Sequence, residues 1–145
     1  MIPNLNLYVG PMFSGKSTRL LQQVDRYKFA KKDIVCFKPK MDNRYTQEGF
    51  IVTHGGNKVP CVLISTGQDI LDFFKDKELP DAIAIDEAFM IDDIANVCLN
   101  FFYDKRIDVL VSTLDLSSSL SSFEEVCTLL GHATKIKKCK AVCTV

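Results

Sequence analysis

The sequence predicts an α/β fold, a parallel β-sheet with helices on both faces. Three observations predict it. Short apolar runs alternate with segments of helical period, several runs are apolar at every position, and a glycine-rich loop joins the first run to the first helical segment. Alternating strands and helices imply right-handed βαβ crossovers and hence a parallel sheet. Strands apolar at every position are those covered on both faces. The 145 residues, 47% of them apolar, suit a single domain over 1–145. A chain of this size buries roughly 68–70% of the surface its unfolded form exposes, enough for a real core.

The elements follow in order. Leu5-Asn6-Leu7-Tyr8-Val9 is a short apolar strand closed by Gly10-Pro11. Ser17 to Phe29 carries Leu20, Leu21, Val24 and Tyr27 at helical spacing. Asp33 to Phe37 is a second strand, stopped by Pro39. Residues 50–53 and 59–64 read as strands flanking a loop at His54-Gly55-Gly56-Asn57, and Gln68 to Lys75 as a short helix. Ala82 to Ile85 is a buried strand ending in Asp86-Glu87. Ile91 to Phe102 reads as a helix, Val109 to Val111 as a buried strand, and Ser122 to Leu130 as a helix closed by Gly131. Val142 is expected in a final strand, and the serine run 117–122 in a mobile loop.

Composition excludes several classes. Eighteen Lys and Arg balance eighteen Asp and Glu, which argues against gross electrostatic binding to nucleic acid or a membrane surface. The balance is uneven locally: residues 68–93 hold nine acids and two lysines, and residues 131–145 hold four lysines and no acid. No apolar stretch approaches the roughly 18 residues of a membrane span. Met1-Ile2-Pro3-Asn4 shows no secretory signal pattern, so a cytoplasmic protein with reduced thiols is expected. Cys36, Cys61 and Cys98 sit in apolar runs and read as small core residues. Cys139 and Cys143, separated by three residues with no second pair, make a poor zinc site.

The chemistry concentrates in Gly10-Pro11-Met12-Phe13-Ser14-Gly15-Lys16-Ser17, which matches G-x-x-x-x-G-K-[ST] between a strand and a helix. Glycines let the backbone wrap so that successive N–H groups meet phosphate oxygens at a helix N-terminus. Lys16 would reach the outer phosphates, the Ser17 hydroxyl would ligate Mg²⁺, and Thr18 would add a further hydroxyl. The fold is accordingly P-loop NTPase-like. Asp86 and Glu87 stand at the carboxyl end of a buried strand, where open α/β sheets place ligands. Asp86 suits Mg²⁺ and Glu87 a general base, although either acid would also cap the helix that follows. Asp42 and Arg44, just past the second strand, would bring a forked guanidinium to phosphate or form a solvated basic loop. His54, beside Gly55-Gly56, reads first as a turn residue and second as a catalytic histidine.

These residues resemble the type II (cellular and poxvirus-like) thymidine kinase family. The resemblance rests on residues 10–18, Asp42-x-Arg44-Tyr45, Thr53-His54, Ile85-Asp86-Glu87, Leu114-Asp115 and Ala141-Val142-Cys143, in family order. It implies transfer of the γ-phosphoryl of ATP to the 5′-hydroxyl of a deoxynucleoside, thymidine or deoxyuridine, in the supply of DNA synthesis. It implies Lys16, Ser17 and Thr18 at phosphate and Mg²⁺, Asp86 at Mg²⁺, and Glu87 as the base. Arg44 is implied near the phosphates, and Met12, Leu114 and Phe123 near the nucleoside base. A homo-oligomer, commonly a tetramer, is also implied.

The sequence departs from the family pattern in three places. Ala88-Phe89-Met90 follows Asp86-Glu87 where the family has a small residue, Gln and an aromatic pair. Leu116-Ser117-Ser118-Ser119-Leu120 replaces Gly-Thr-Phe-Gln-Arg. The family continues past Cys143 into a zinc lobe and a lasso over the nucleoside, whereas Val145 is the last residue of this sequence; no zinc is expected within it. Two other readings follow from these departures: a divergent or truncated relative that binds ATP without kinase turnover, or a P-loop ATPase whose Glu87 activates water.

Overall fold

A computed structural model describes residues 2–11, 15–40, 49–52, 58–114 and 120–139. In chain order the elements are β1 (Leu5–Val9), α1 (Lys16–Phe29), β2 (Ile34–Pro39), β3 (Phe50–Val52), β4 (Lys58–Pro60), β5 (Val62–Ile64), α2 (Gly67–Phe73) and β6 (Ala82–Ile85). A 3₁₀ turn (Ala88–Met90), α3 (Ile94–Leu99), a π-helical turn (Asn100–Asp104), β7 (Asp108–Thr113), α4 (Leu120–His132) and β8 (Lys135–Lys138) complete them. Six strands form one parallel sheet in the order β5-β2-β6-β7-β1-β8. The predicted α/β class, with helices on both faces, is the observed one.

Strand alternation explains the apolar runs. Ile83, Ile85, Val109 and Val111 face one layer, where they meet Ile70 and Phe74 beside α2, Ala95 and Cys98 of α3, Phe101, and Leu129 of α4. Ala84, Leu110, Tyr8 and Cys36 face the other, against Leu20, Leu21 and Val24 of α1. Both faces are covered, so no position in β6 tolerates a polar side chain without a partner. Phe37, Phe73, Phe74 and Phe101 join edge-to-face on the first side, with centroids 4.9–5.9 Å apart. Such pairs add to their area burial. At Gly67, an added Cβ would stand 2.8 Å from Val97 Cγ2 and 2.9 Å from the Asp93 carbonyl, so only glycine lets α2 approach α3 this closely.

Several sequence expectations need correction. Residues 59–64 are not one strand. β4 pairs antiparallel with β3 in a separate hairpin, while β5 pairs parallel with β2. Cys61 is the break, its N–H turned to the Gly49 carbonyl at 2.8 Å. The helix expected from Ile91 begins only at Ile94, because Asp93 adopts the left-handed conformation at φ 61°. It ends in the π turn, where the Lys105 N–H reaches back to Asn100 O and the Asn100 amide donates to Asp104 at 3.0 Å. Helix α4 starts at Leu120, taking in the last three residues of the serine run, and passes through Gly131. Gly131 lacks the positive φ that ends a helix. The last described strand is β8, and Val142 lies outside the described residues. Of the expected core cysteines, Cys36 and Cys98 are buried and Cys61 is half-buried.

Candidate functional site

All strands of the main sheet run the same way, so the carboxyl ends of β1, β6 and β7 share one edge. Gly10 follows β1, and its N–H donates to the Thr113 carbonyl at the end of β7, 3.3 Å away. Gly15 caps α1 with φ 79°, a left-handed conformation that glycine adopts without steric cost. Its carbonyl accepts the first helical bond, from the Arg19 N–H at 3.0 Å. The chain therefore enters α1 with Lys16, Ser17 and Thr18 in the first turn, where helical N–H groups point outward unbonded.

Lys16 is 7% exposed and Asp86 6% exposed, an unusual burial for two charged side chains. Ser17 Oγ donates to Asp86 Oδ1 at 2.9 Å, joining the first turn of α1 to the end of β6. The Asp86 backbone N–H donates to Phe37 O at 2.9 Å, which ties this position to β2 as well. Burial pushes the Asp86 carboxyl above the usual carboxylate range. Ser17, the Ser112 hydroxyl, the Lys16 ammonium and the Glu87 N–H oppose that shift. Ser112 favours the ionised form through its dipole without closing a hydrogen bond of ordinary geometry.

Glu87 is half-buried and sits at φ 51°, a conformation uncommon for any residue but glycine, asparagine or aspartate. Strained positions of this kind gather where a side chain must be aimed. The left-handed step turns the chain into the 3₁₀ turn, closed by the Met90 N–H on Glu87 O at 3.1 Å. Leu114 is half-buried directly after β7, at the same edge.

Gly10, Pro11, Gly15, Lys16, Ser17, Thr18, Asp86, Glu87 and Leu114 all fall just past the carboxyl ends of β1, β6 and β7 or at the start of α1, and the structure joins Ser17 directly to Asp86. Met12, Phe13, Ser14, Arg44 and His54 lie outside the described residues, as does the side chain of Phe123. Two features escaped the sequence reading. The left-handed turn at Glu87 has no sequence signature. Ser112 had one: the first of two hydroxyls that end the apolar run Val109-Leu110-Val111, one step past the Ile85–Val111 pair in the sheet.

The donor set fits Mg²⁺. A hydroxyl and a carboxylate, both hard oxygen donors, lie 2.9 Å apart beside a candidate phosphate cradle. Among the described residues there is no cluster of three or more His, Cys, Asp and Glu suited to a metal. An all-protein cage is not what Mg²⁺ at phosphates requires, since substrate oxygens and water supply the other positions.

The chain matches the thymidine kinase family model over residues 3–145. It is 33% identical over 145 residues to a thymidine kinase of Pseudothermotoga lettingae, covering all of this chain and 77% of that protein. It is 30% identical over 141 residues to a thymidine kinase of Aster yellows witches'-broom phytoplasma, covering 97% of this chain and 66% of that protein. It therefore spans about two thirds to three quarters of the length of these relatives. The match supports a nucleoside kinase of the transferase class that uses ATP, and does not favour the ATPase or non-catalytic readings. The chain belongs to the thymidine kinase family.

Proposed function

We propose that these residues form the phosphoryl-transfer core of a kinase acting on the 5′-hydroxyl of thymidine or deoxyuridine. The observation that carries the reading is the meeting of Lys16, Ser17 and Asp86 at one sheet edge, with Glu87 held on a left-handed turn beside them. Lys16, buried and fixed at the start of α1, offsets charge on the outer phosphates of ATP. The loop from Gly10 to Ser14, with Gly15 and Thr18, cradles the phosphates, and Arg44 adds a forked contact. Ser17 and Asp86 hold Mg²⁺, which when bound shields phosphate charge during an in-line displacement.

Glu87 accepts the proton of the 5′-hydroxyl as that oxygen attacks the γ-phosphorus. Met12, Leu114 and Phe123 form the apolar side of the nucleoside pocket. The same reading takes 1–145 as one nucleotide-binding domain without zinc, in a cytoplasmic homo-oligomer, most simply a tetramer. The zero formal charge supports small-molecule partners over nucleic acid. No helix among the described residues is long and apolar enough to cross a membrane.

The test is ADP release from Mg·ATP by the purified chain, with and without a panel of deoxynucleosides. Release dependent on thymidine or deoxyuridine and lost in Glu87→Gln supports the reading. Release indifferent to nucleoside overturns it.

A further inference from the structure

One residue before the end of strand β7 lies a buried hydroxyl that closes no hydrogen bond of ordinary geometry. Ser112 is 0% exposed, and its Oγ has no hydrogen-bond partner among the described residues. Leaving a buried donor unpaired costs about 1–3 kcal/mol, so such groups need an explanation. The sheet register supplies one. Ile85 lies opposite Val111, so the next pair along is Asp86 beside Ser112. Ala84 and Leu110 face α1, and residues two further along a strand face the same way. Ser112 and Asp86 are therefore same-face neighbours on adjacent strands, with Ser17 of α1 above them, 2.9 Å from Asp86 Oδ1. On the other side Ser112 is level with Tyr8 of β1, whose buried ring closes off solvent.

An ionised carboxylate so deeply buried needs several donors to hold it. Ser17 supplies one from the helix side. The hydroxyl positioned to supply another from the sheet side is that of Ser112.

We propose that Ser112 is a positioning residue for Asp86: its hydroxyl holds the carboxylate in the orientation that binds the metal–nucleotide complex. The inference rests on the kinase reading, and deepens it by adding a residue behind the metal-binding carboxylate. Partners one step removed from a metal typically change its affinity 10–100-fold when lost. Mg²⁺ is sensitive to such support because it demands near-ideal octahedral geometry.

The experiment titrates Mn²⁺ into the protein with ADP, read by electron paramagnetic resonance, alongside the Mg²⁺ dependence of turnover. Ser112→Ala is expected to weaken Mn²⁺ binding about tenfold and raise the Mg²⁺ needed for half-activation by a similar factor. Metal-free ADP binding stays unchanged, and Ser112→Thr, which keeps the hydroxyl, restores metal affinity. Ser112→Cys, nearly isosteric and a weak donor, shows the same loss should the alanine variant fold poorly. A folded Ser112→Ala or Ser112→Cys protein that binds Mn²⁺ as tightly as the unsubstituted chain overturns the proposal. An unsubstituted chain that binds no metal–nucleotide complex overturns the kinase reading instead.

Discussion

Tyr27 donates its phenolic hydrogen to Asp108 Oδ2 at 2.6 Å, while Oδ1 of the same carboxylate accepts the Asn4 N–H at 2.7 Å. One side chain thus ties the end of α1 to the starts of β1 and β7, at the sheet edge opposite the nucleotide site. Burial, reinforced by Asp108, pushes the Tyr27 phenol well above its ordinary range, so it remains a donor at neutral and mildly alkaline pH. Tyr27→Phe removes a hydrogen bond to a charged acceptor, a loss of about 1.5–3 kcal/mol when nothing replaces it. Because Asp108 keeps its bond to Asn4, the lower end of that range is expected. Thermal unfolding checks it, with nucleotide affinity unchanged.

At the site itself, stability and function are expected to part. Asp86→Asn removes a charge that burial disfavours while keeping an acceptor for Ser17. The variant should unfold at the same temperature as the parent or higher, yet lose at least a hundredfold in Mg²⁺-dependent turnover, as functional sites often trade one for the other. Calorimetry and an ADP-release assay on the same preparation check both halves.

The core thiols should resist labelling. Burial raises Cys36 to about 12 and Cys61 to about 11, and pushes Cys98 higher still. At pH 8 the thiolate fraction of Cys36 is on the order of one in ten thousand. Among the described cysteines, the exposed Cys127 is expected to react first and Cys36 and Cys98 only on unfolding. The same shifts fix a sign. Unfolded thiols ionise near pH 8.5–9 and these do not, so their contribution to stability is full below that range and is lost progressively as pH rises from it toward the folded values of about 11 and 12. Mass spectrometry after timed alkylation, with and without denaturant, gives the order.

An acid-side dependence comes from the start of α2. Asp69 Oδ2 accepts the N–H groups of Ser65 at 2.7 Å and Thr66 at 3.1 Å, completing a reciprocal cap with Thr66. These bonds hold its carboxyl below the usual carboxylate range. Their contribution is therefore full above the unfolded value of 3.8 and fades as pH falls through the lower folded one. Asp69→Asn should cost about 1 kcal/mol at neutral pH. It should also flatten part of the loss below pH 4 in a series of urea melts.

What the sequence disclosed was whatever rests on local chemistry. A strand, a loop and a helix around Gly10–Ser17 follow from spacing and periodicity, and Asp86 from an acid ending an apolar strand. The hairpin of β3 and β4 did not, because residues 59–64 are equally apolar whether they form one strand or two. Only the turn of the Cys61 N–H toward Gly49 divides them. Asp93 and Glu87 adopt left-handed conformations that packing imposes and composition does not announce. Ser112 became meaningful only through its register with Asp86. Met12, Arg44 and His54 lie outside the described residues, and their assignments rest on the resemblance and on loop chemistry.

The strand that leads into the candidate phosphate loop is made before both of the strands it pairs with. Leu5 waits for Val109, and Asn6 for Lys135. Contacts of such sequence separation return their energy only after a long loop has closed, which slows folding and leaves the early segment exposed meanwhile. On the ribosome, Leu5, Leu7 and Val9 must emerge as an unsatisfied apolar edge, the kind of segment that chaperones hold and aggregates recruit. Assembly of the candidate site is thus a late event of folding, complete only when β7 and β8 have docked.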